Sequence, residues 1–193
     1  MTDAMKNSLE LIRDRKLSMP LFRHYSNILA GYLVDEFLAK IPASRRSDVV
    51  PVLIFRASLI FISSIVDKCP ASPIGFMGLK RDEETAIAEK YYSNLPKMQK
   101  SSIVAVFDPM LGTAGTLDKT CEDVRKRYIT DTGLELDGNN IYFIGFLAAR
   151  SGYQKALAHM PADNVILLAI DPELDARKFI VPGLGDFGDR YFG

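Results

Sequence analysis

Cysteine is scarce, charge of one sign has no majority, and long apolar runs are missing. The chain has two cysteines in 193 residues. Cys69 and Cys121 lie far apart and match neither a CxxC metal site nor a disulfide framework, which suits a reducing compartment and two inert thiols. Lys plus Arg and Asp plus Glu stand at 24 each. No net positive field therefore draws nucleic acid or an anionic membrane from a distance, and an anion site has to be built locally. No apolar run approaches the roughly 18 residues of a membrane span, and the polar start MTDAMKNSLELIRDRK has no secretory core. The expectation is a soluble, cytoplasmic protein without membrane or nucleic-acid partners. His24 and His159 have no partner pattern, and His159, near a helix end before Pro161, reads as structural.

The hydrophobic share of 48% and charged share of 25% are those of a globular chain. The length fits a single domain over 1–193. Leu21, Tyr25, Ile28, Leu29, Leu33 and Phe37 recur at helical spacing between Ser18 and Leu38, predicting an amphipathic helix that ends before Pro42. Val49–Phe55 reads as a strand, although Pro51 removes one ladder donor. Leu59–Val66 reads as a buried helix, and residues 74–79 (IGFMGL) form a further short apolar run. After a long charged connection, strands at Ile103–Phe107, Ile141–Leu147 and Val165–Ile170 alternate with helices at Leu117–Tyr128 and Ser151–His159. That alternation predicts an α/β fold with a mostly parallel sheet flanked by helices. In such a sheet ligands bind beyond the carboxyl ends of the strands. Arg56, Asp108, Arg150 and Asp171 each close an apolar run, which places a candidate site at that edge.

The most informative stretch is VFDPMLGTAGT. A strand runs into Asp108-Pro109-Met110-Leu111, then Gly112-Thr113-Ala114-Gly115-Thr116, and only then does a helix begin. A loop between strand and helix exposes unpaired N–H groups, and the helix N-terminus adds partial positive charge, so phosphate fits there. Gly112 and Gly115 permit close approach and unusual backbone angles, Ala114 adds little bulk, and Thr113 and Thr116 offer hydroxyls. The loop has neither the GxxxxGK[ST] lysine nor the GxGxxG spacing of other nucleotide folds. Asp108 would repel a phosphate in direct contact but suits a neighbouring group rich in hydroxyls, such as ribose. A plain turn with Asp108 as a helix-capping acceptor stays open on these residues alone.

FDPMLGTAGT resembles the phosphoribosyl pyrophosphate signature of the uracil phosphoribosyltransferases, a type I phosphoribosyltransferase family. Further similarities follow in family order: the segment LELIRDRKLSMPLFRHYSNILAGYLVDE, VLIFRAS, GLKRDEET, YYSNLP and IVPGLGDFGDRYFG. The Thr-Ala-Gly and Gly-Asp-Phe-Gly-Asp variants are similar to those of eukaryotic members. The resemblance implies a type I phosphoribosyltransferase fold with a small hood from the N-terminal segment and the tail 172–193, and a mobile arm at about 82–96. It implies transfer of phosphoribose to uracil, giving UMP and pyrophosphate. Asp108 would hold the ribose hydroxyls, residues Gly112 to Thr116 the 5-phosphate, and Arg56 and Arg81 the pyrophosphate side, with Asp108 and Arg81 the catalytic pair. Ile180, Gly185 and Phe187 would surround uracil through main-chain groups, and Asp186 would lie near the phosphoribosyl pyrophosphate, its metal or a water. Mg²⁺ would bind mainly through pyrophosphate oxygens and water, with no dedicated protein cage. A homodimer or homotetramer and a GTP effector are further implications.

Tyr91 and Tyr92 read as packing residues, with closure over substrate as the other option. Asp171 reads equally as a strand-edge cap or a base contact. Three positions depart from the family pattern. Ser58 stands where Gly is usual, which predicts strain in the Arg56-Ala57-Ser58 loop. Asp175 stands for Asn and Phe179 for Tyr near the base pocket. These motivate a second reading, a catalytically impaired homologue that binds phosphoribosyl pyrophosphate or a nucleotide as a sensor or partner protein.

Overall fold

The computed structural model describes residues 1–81 and 88–193, with the side chains of Arg81 and Ala88 outside that description. In chain order the elements are α1 (Asp3–Arg13), α2 (Met19–Ala39), β1 (Val49–Phe55), a 3-10 turn (Ala57–Phe61), α3 (Ile62–Lys68), β2 (Gly75–Arg81), β3 (Ala88–Asn94), β4 (Ile103–Phe107) and β5 (Met110–Leu111). Then come α4 (Gly115–Thr132), β6 (Ile141–Ala149), α5 (Arg150–Ala156), β7 (Val165–Asp171), β8 (Glu173–Leu174), β9 (Ile180–Val181) and α6 (Phe187–Phe192).

Seven strands form one sheet in the order β3-β2-β1-β4-β6-β7, with β5 also on β6. All its pairings are parallel except β2 with β3. The expected mostly parallel α/β sheet is therefore present. Pro51 is tolerated in β1 because β2 pairs only from Val52 onward, so no neighbour on that side requires its missing N–H. Every residue of β4 is buried, as is nearly all of β1 and β6, which is why these strands read as continuous apolar runs.

Two cores cover the two faces. One joins α1, α2, α3 and the tail through Leu9, Phe22, Phe37, Phe61, Phe107 and Phe146. The other joins α4 and α5 through Leu117, Val124, Phe143 and Ala156. Phe107 and Val106, adjacent in β4, fall on opposite sides, as strand alternation requires. Aromatic contacts run across the first core: Phe22 to Phe187 at 5.3 Å, Phe187 to Phe146 at 5.1 Å, Phe146 to Phe61 at 5.6 Å and Phe61 to Phe107 at 5.1 Å between ring centroids. Such pairs contribute about 0.5–1.5 kcal/mol each beyond area burial, and here they fix the tail helix α6 to the end of β4.

Several expectations change. The buried stripe of α2 is Phe22, Ser26, Leu29, Leu33 and Phe37, whereas Leu21 and Ile28 are exposed; apolar residues spread beyond one face of this helix, and packing against the sheet selects the buried one. The start MTDAMKNSLELIRDRK contains α1, with Leu9 and Ile12 in the core. Part of the expected arm, 88–94, is the edge strand β3 antiparallel to β2, and residues 82–87 lie outside the described structure. The Gly-rich tail ends in α6. Cys69 and Cys121 are free and buried, and burial pushes the Cys121 thiol up to about 12, so neither is a reactive thiolate. No described helix is long and apolar enough to cross a membrane.

Candidate active site at the carboxyl edge of the sheet

β2, β1, β4, β6 and β7 run parallel, so Arg81, Arg56, Asp108, Arg150 and Asp171, which end or follow them, all lie along one sheet edge. The loop after β4 has the most developed geometry. β4 leaves its ladder with β6 at Asp108-Pro109, and β5 rejoins β6 at Leu147. The Pro109 carbonyl accepts from the N–H groups of Phe146 and Leu147 at 2.9 and 3.1 Å. The Asp108 carbonyl crowds the site where a side chain on Gly145 would begin, 2.5 Å from an ideal Cβ, so glycine there permits the kink. Asp108 is about nine-tenths buried and accepts from Thr116 Oγ1 at 3.3 Å and from the Met110 N–H at 3.4 Å. The carboxylate is thus set against the first turn of α4.

That turn is entered through Ala114 in the left-handed region, at φ 63° and ψ 7°. The sequence assigned the unusual angle to Gly112 and Gly115; it falls on Ala114 between them, and Gly115 is already the first helical residue. A Cβ on Gly115 would meet only Thr113 Oγ1, at 3.8 Å. No contact among the described residues therefore requires glycine at 115. A left-handed residue beside helical ones turns successive N–H groups into a concave anion nest, and α4, 18 residues long, adds its N-terminal partial charge.

At the end of the neighbouring strand β1, Arg56 meets the tail. Arg56 is exposed and pairs with Asp189 of α6 at 3.1 Å, so the expected pyrophosphate-side guanidinium has a carboxylate partner. Both groups face solvent, which makes the pair weak and exchangeable for an anion of higher charge. The Phe55–Arg56 peptide is cis. Ser58 does not carry the expected strain: it lies in the 3-10 turn outside the left-handed region, fully buried, with no hydrogen-bond partner for its hydroxyl among the described residues.

The tail loop is built as its Pro and Gly residues imply. Val181–Pro182 is cis, and Gly183 and Gly185 take φ of 58° and 86°. Ile180 and Phe187 turn their side chains into the core, so toward the crevice only their main chains are available. Asp186 caps α6, accepting from the Asp189 N–H at 2.9 Å. Asp175 is occupied in the β8–β9 turn, accepting from the N–H groups of Arg177 and Phe179 at 2.9 Å each, a task an Asn carbonyl would also perform.

Three residues that no local pattern marked hold this loop in place. Arg13 of α1 donates to both Asp171 oxygens, at 2.7 and 2.8 Å, and to the Gly183 carbonyl at 2.9 Å, while the Gly183 N–H donates to Asp171 at 2.8 Å. Burial raises the Asp171 carboxyl, but Arg13 and the Gly183 N–H more than offset this and hold it below the ordinary Asp range. Of the two roles open to Asp171, the structure shows the cap. Arg190 donates to the carbonyls of Ile12, Leu184 and Asp14 and stacks over Phe22 at 4.0 Å, tying α1 to the tail. Asp189 is the third, through Arg56.

Other positions fall away from the crevice or outside the description. The Arg81 side chain is not described, so its expected catalytic role has no geometry here. Arg150 opens α5 and is exposed. Tyr92 stacks on Phe55 at 5.9 Å, and both Tyr91 and Tyr92 are exposed. His159 does have a partner, Asp118 at 2.8 Å. Among the described residues no group of three or more His, Cys, Asp or Glu could hold a metal ion.

The model of the family described as uracil phosphoribosyltransferase matches residues 43–193. A uracil phosphoribosyltransferase of Saccharomyces cerevisiae is 30% identical to this chain over 207 residues, covering 99% of this chain and 93% of that protein. One from Campylobacter curvus is 37% identical over 139 residues, covering 72% of this chain and 62% of that protein. The solved structure of an Aquifex aeolicus protein superposes with a TM-score of 0.84 at 27% identity, over 100% of this chain and 95% of that one. A hypoxanthine-guanine phosphoribosyltransferase from Bacillus anthracis superposes with a TM-score of 0.51 at 12% identity, over 77% of this chain and 80% of that one, a likeness of fold.

Proposed function

The chain belongs to the uracil phosphoribosyltransferase family, and from that premise we propose that it transfers phosphoribose from phosphoribosyl pyrophosphate to uracil, giving UMP and pyrophosphate, at the crevice between the Asp108–Thr116 loop and the tail. The observation that carries the assignment is the loop itself: a nearly buried carboxylate on the first turn of an 18-residue helix, entered through a left-handed Ala114, with space at Gly115 that the protein leaves unused.

The chemistry sets the roles. As the bond from the anomeric carbon to pyrophosphate breaks, positive charge grows on the sugar and negative charge on the leaving group. Amides from Gly112 to Thr116 and the hydroxyls of Thr113 and Thr116 hold the 5-phosphate, and Pro109, Met110 and Leu111 carry the chain to them. Asp108 accepts from the ribose hydroxyls, which fixes the ring and places a negative charge near the developing cation. Arg56 exchanges Asp189 for pyrophosphate oxygens, and Arg81, at the neighbouring strand end, serves the same charge. Fixed guanidinium and N–H donors stabilise the leaving group without reorganising during the reaction. Uracil presents an acceptor-donor-acceptor edge, complemented by main-chain groups of Ile180, Gly185 and Phe187. Rigid backbone donors orient the base nitrogen toward the anomeric carbon, so much of the rate comes from position.

Mg²⁺ would be held mainly by substrate oxygens and water, and the Asp186 carboxylate at the start of α6, a hard oxygen donor, would hold the ion or its water. When bound, Mg²⁺ supplies charge neutralisation to the pyrophosphate. The α1 end and tail 172–193, tied by Arg13 and Arg190, act as the hood over the base. We further propose a cytoplasmic homodimer or homotetramer with GTP as an effector. Formation of UMP from uracil, phosphoribosyl pyrophosphate and Mg²⁺ is the test. A folded protein that binds the sugar without producing UMP would overturn the catalytic assignment.

A further inference from the structure

We infer that Gly152 and Lys155, one helical turn apart on α5, are positioning residues that set the amide direction of the phosphate cradle. This rests on the proposed binding of the 5-phosphate by that loop. An ideal Cβ on Gly152 would lie 2.3 Å from the Gly112 carbonyl oxygen and 2.6 Å from that of Leu111. Backbone oxygens at those distances cannot yield as the end of a flexible side chain would. Lys155 continues the contact, its Nζ donating to the Thr113 carbonyl at 3.1 Å. Three consecutive carbonyls, Leu111, Gly112 and Thr113, therefore engage α5.

A trans peptide directs its C=O and its N–H to opposite sides. With the oxygens of residues 111, 112 and 113 engaged by α5, the N–H groups of Gly112, Thr113 and Ala114 turn away from it, toward the crevice. Ala114, left-handed, then carries the chain into α4. The close seat at Gly152 supports these peptides against rotation where the loop leaves its β6 register at Leu111. Lys155 acts twice: it fixes the last carbonyl, and it places a cation behind the peptide whose N–H faces the ligand, polarising that donor. The contrast with Gly115 separates the roles, since that glycine faces open space while Gly152 is closed off by backbone.

Gly152→Ala, Lys155→Met and Lys155→Arg are compared with the wild-type chain by calorimetric titration with ribose 5-phosphate, thermal unfolding, and KM for each substrate. Lys155→Met should weaken ribose 5-phosphate binding about fivefold to tenfold, the net worth of one ordinary hydrogen bond, since the lysine is exposed. KM for phosphoribosyl pyrophosphate should rise in step, with KM for uracil and the unfolding midpoint nearly unchanged. Lys155→Arg, which can still donate, should restore most of the affinity. Gly152→Ala should weaken binding by about tenfold or more. If that variant fails to fold, the exposed Lys155 pair decides the matter alone. Wild-type-like affinity in Lys155→Met, or equal losses for both substrates, overturns the positioning role while leaving the cradle in place. Failure of the wild-type chain to bind ribose 5-phosphate overturns the cradle reading on which it rests.

Discussion

Replacing Gly115 with alanine separates a glycine kept for the fold from one kept for a ligand. Gly115 is the first residue of α4, and its missing Cβ has only Thr113 Oγ1 nearby, at 3.8 Å. Helical backbone accepts alanine there, and exchange of glycine for alanine in a helix gains about 0.5–1 kcal/mol. For a chain of this length, 1 kcal/mol moves the midpoint by about 2–4 °C, so Gly115→Ala should unfold about 1–4 °C higher than wild type. A phosphate oxygen accepting from the amides of this turn sits about 2.9 Å from nitrogen, and a methyl group at 115 would force it outward. Loss of about 1.4 kcal/mol corresponds to a tenfold rise in KM for phosphoribosyl pyrophosphate, with KM for uracil unchanged. Scanning calorimetry and steady-state kinetics on the same preparation read both quantities. Higher stability with unchanged KM would refute phosphate binding at this turn; lower stability would show that glycine serves the fold.

Asp108→Asn keeps an acceptor for Thr116 or Met110 but removes the charge facing the ribose, so kcat/KM should fall about 10- to 100-fold with the midpoint within about 2 °C. Arg13→Met leaves Asp171 as a buried charge with only the Gly183 N–H, so unfolding should cost about 3 kcal/mol less and KM for uracil should rise more than that for phosphoribosyl pyrophosphate. The Asp171 carboxyl is held below its ordinary value, so the unfolded chain binds this proton first as pH falls. Its stabilisation is complete above the ordinary Asp range and disappears as pH drops through the lower folded value. Between pH 5 and pH 2 the wild-type midpoint should therefore fall more steeply than that of Asp171→Asn. Asp189→Asn frees Arg56 from a weak exposed partner, so affinity for phosphoribosyl pyrophosphate should rise by up to about fivefold, and by less at high salt.

The sheet was legible because β1, β4 and β6 are buried apolar runs and β7 a half-buried apolar one, separated by helical spacing, a pattern set by local chemistry. The elements that escaped are of another kind. β3 is a polar edge strand, EKYYSN after Ala88, whose pairing with β2 is declared by no alternation of its own. α6 is only six residues long, with one glycine and an Asp-Arg pair among its aromatics, and forms because Phe187 is held among Phe22, Phe146 and Tyr191. α1 did carry a signal, Met5, Leu9 and Ile12 at helical spacing behind the cap Thr2, which the surrounding charges obscured. In the site, the Asp108–Thr116 loop could be read because its residue types are consecutive. Arg13, Asp171 and Gly183 are joined across more than 150 positions between the first and the other two, so no local pattern could pair them. The assignment of the left-handed angle to glycine failed for a definite reason: alanine accepts it at a cost of about 1–2 kcal/mol, which helix and ladder on either side can bear.

The central claim is that the amides between Gly112 and Thr116 hold the 5-phosphate of a pyrophosphorylated ribose. A crystal structure of the protein grown with phosphoribosyl pyrophosphate and Mg²⁺ tests it most directly. The phosphate should lie within hydrogen-bonding distance of those N–H groups, with Asp108 on the ribose hydroxyls and Arg56 turned from Asp189 to the pyrophosphate. A sugar phosphate bound elsewhere, or a vacant loop at saturating ligand, would contradict the account.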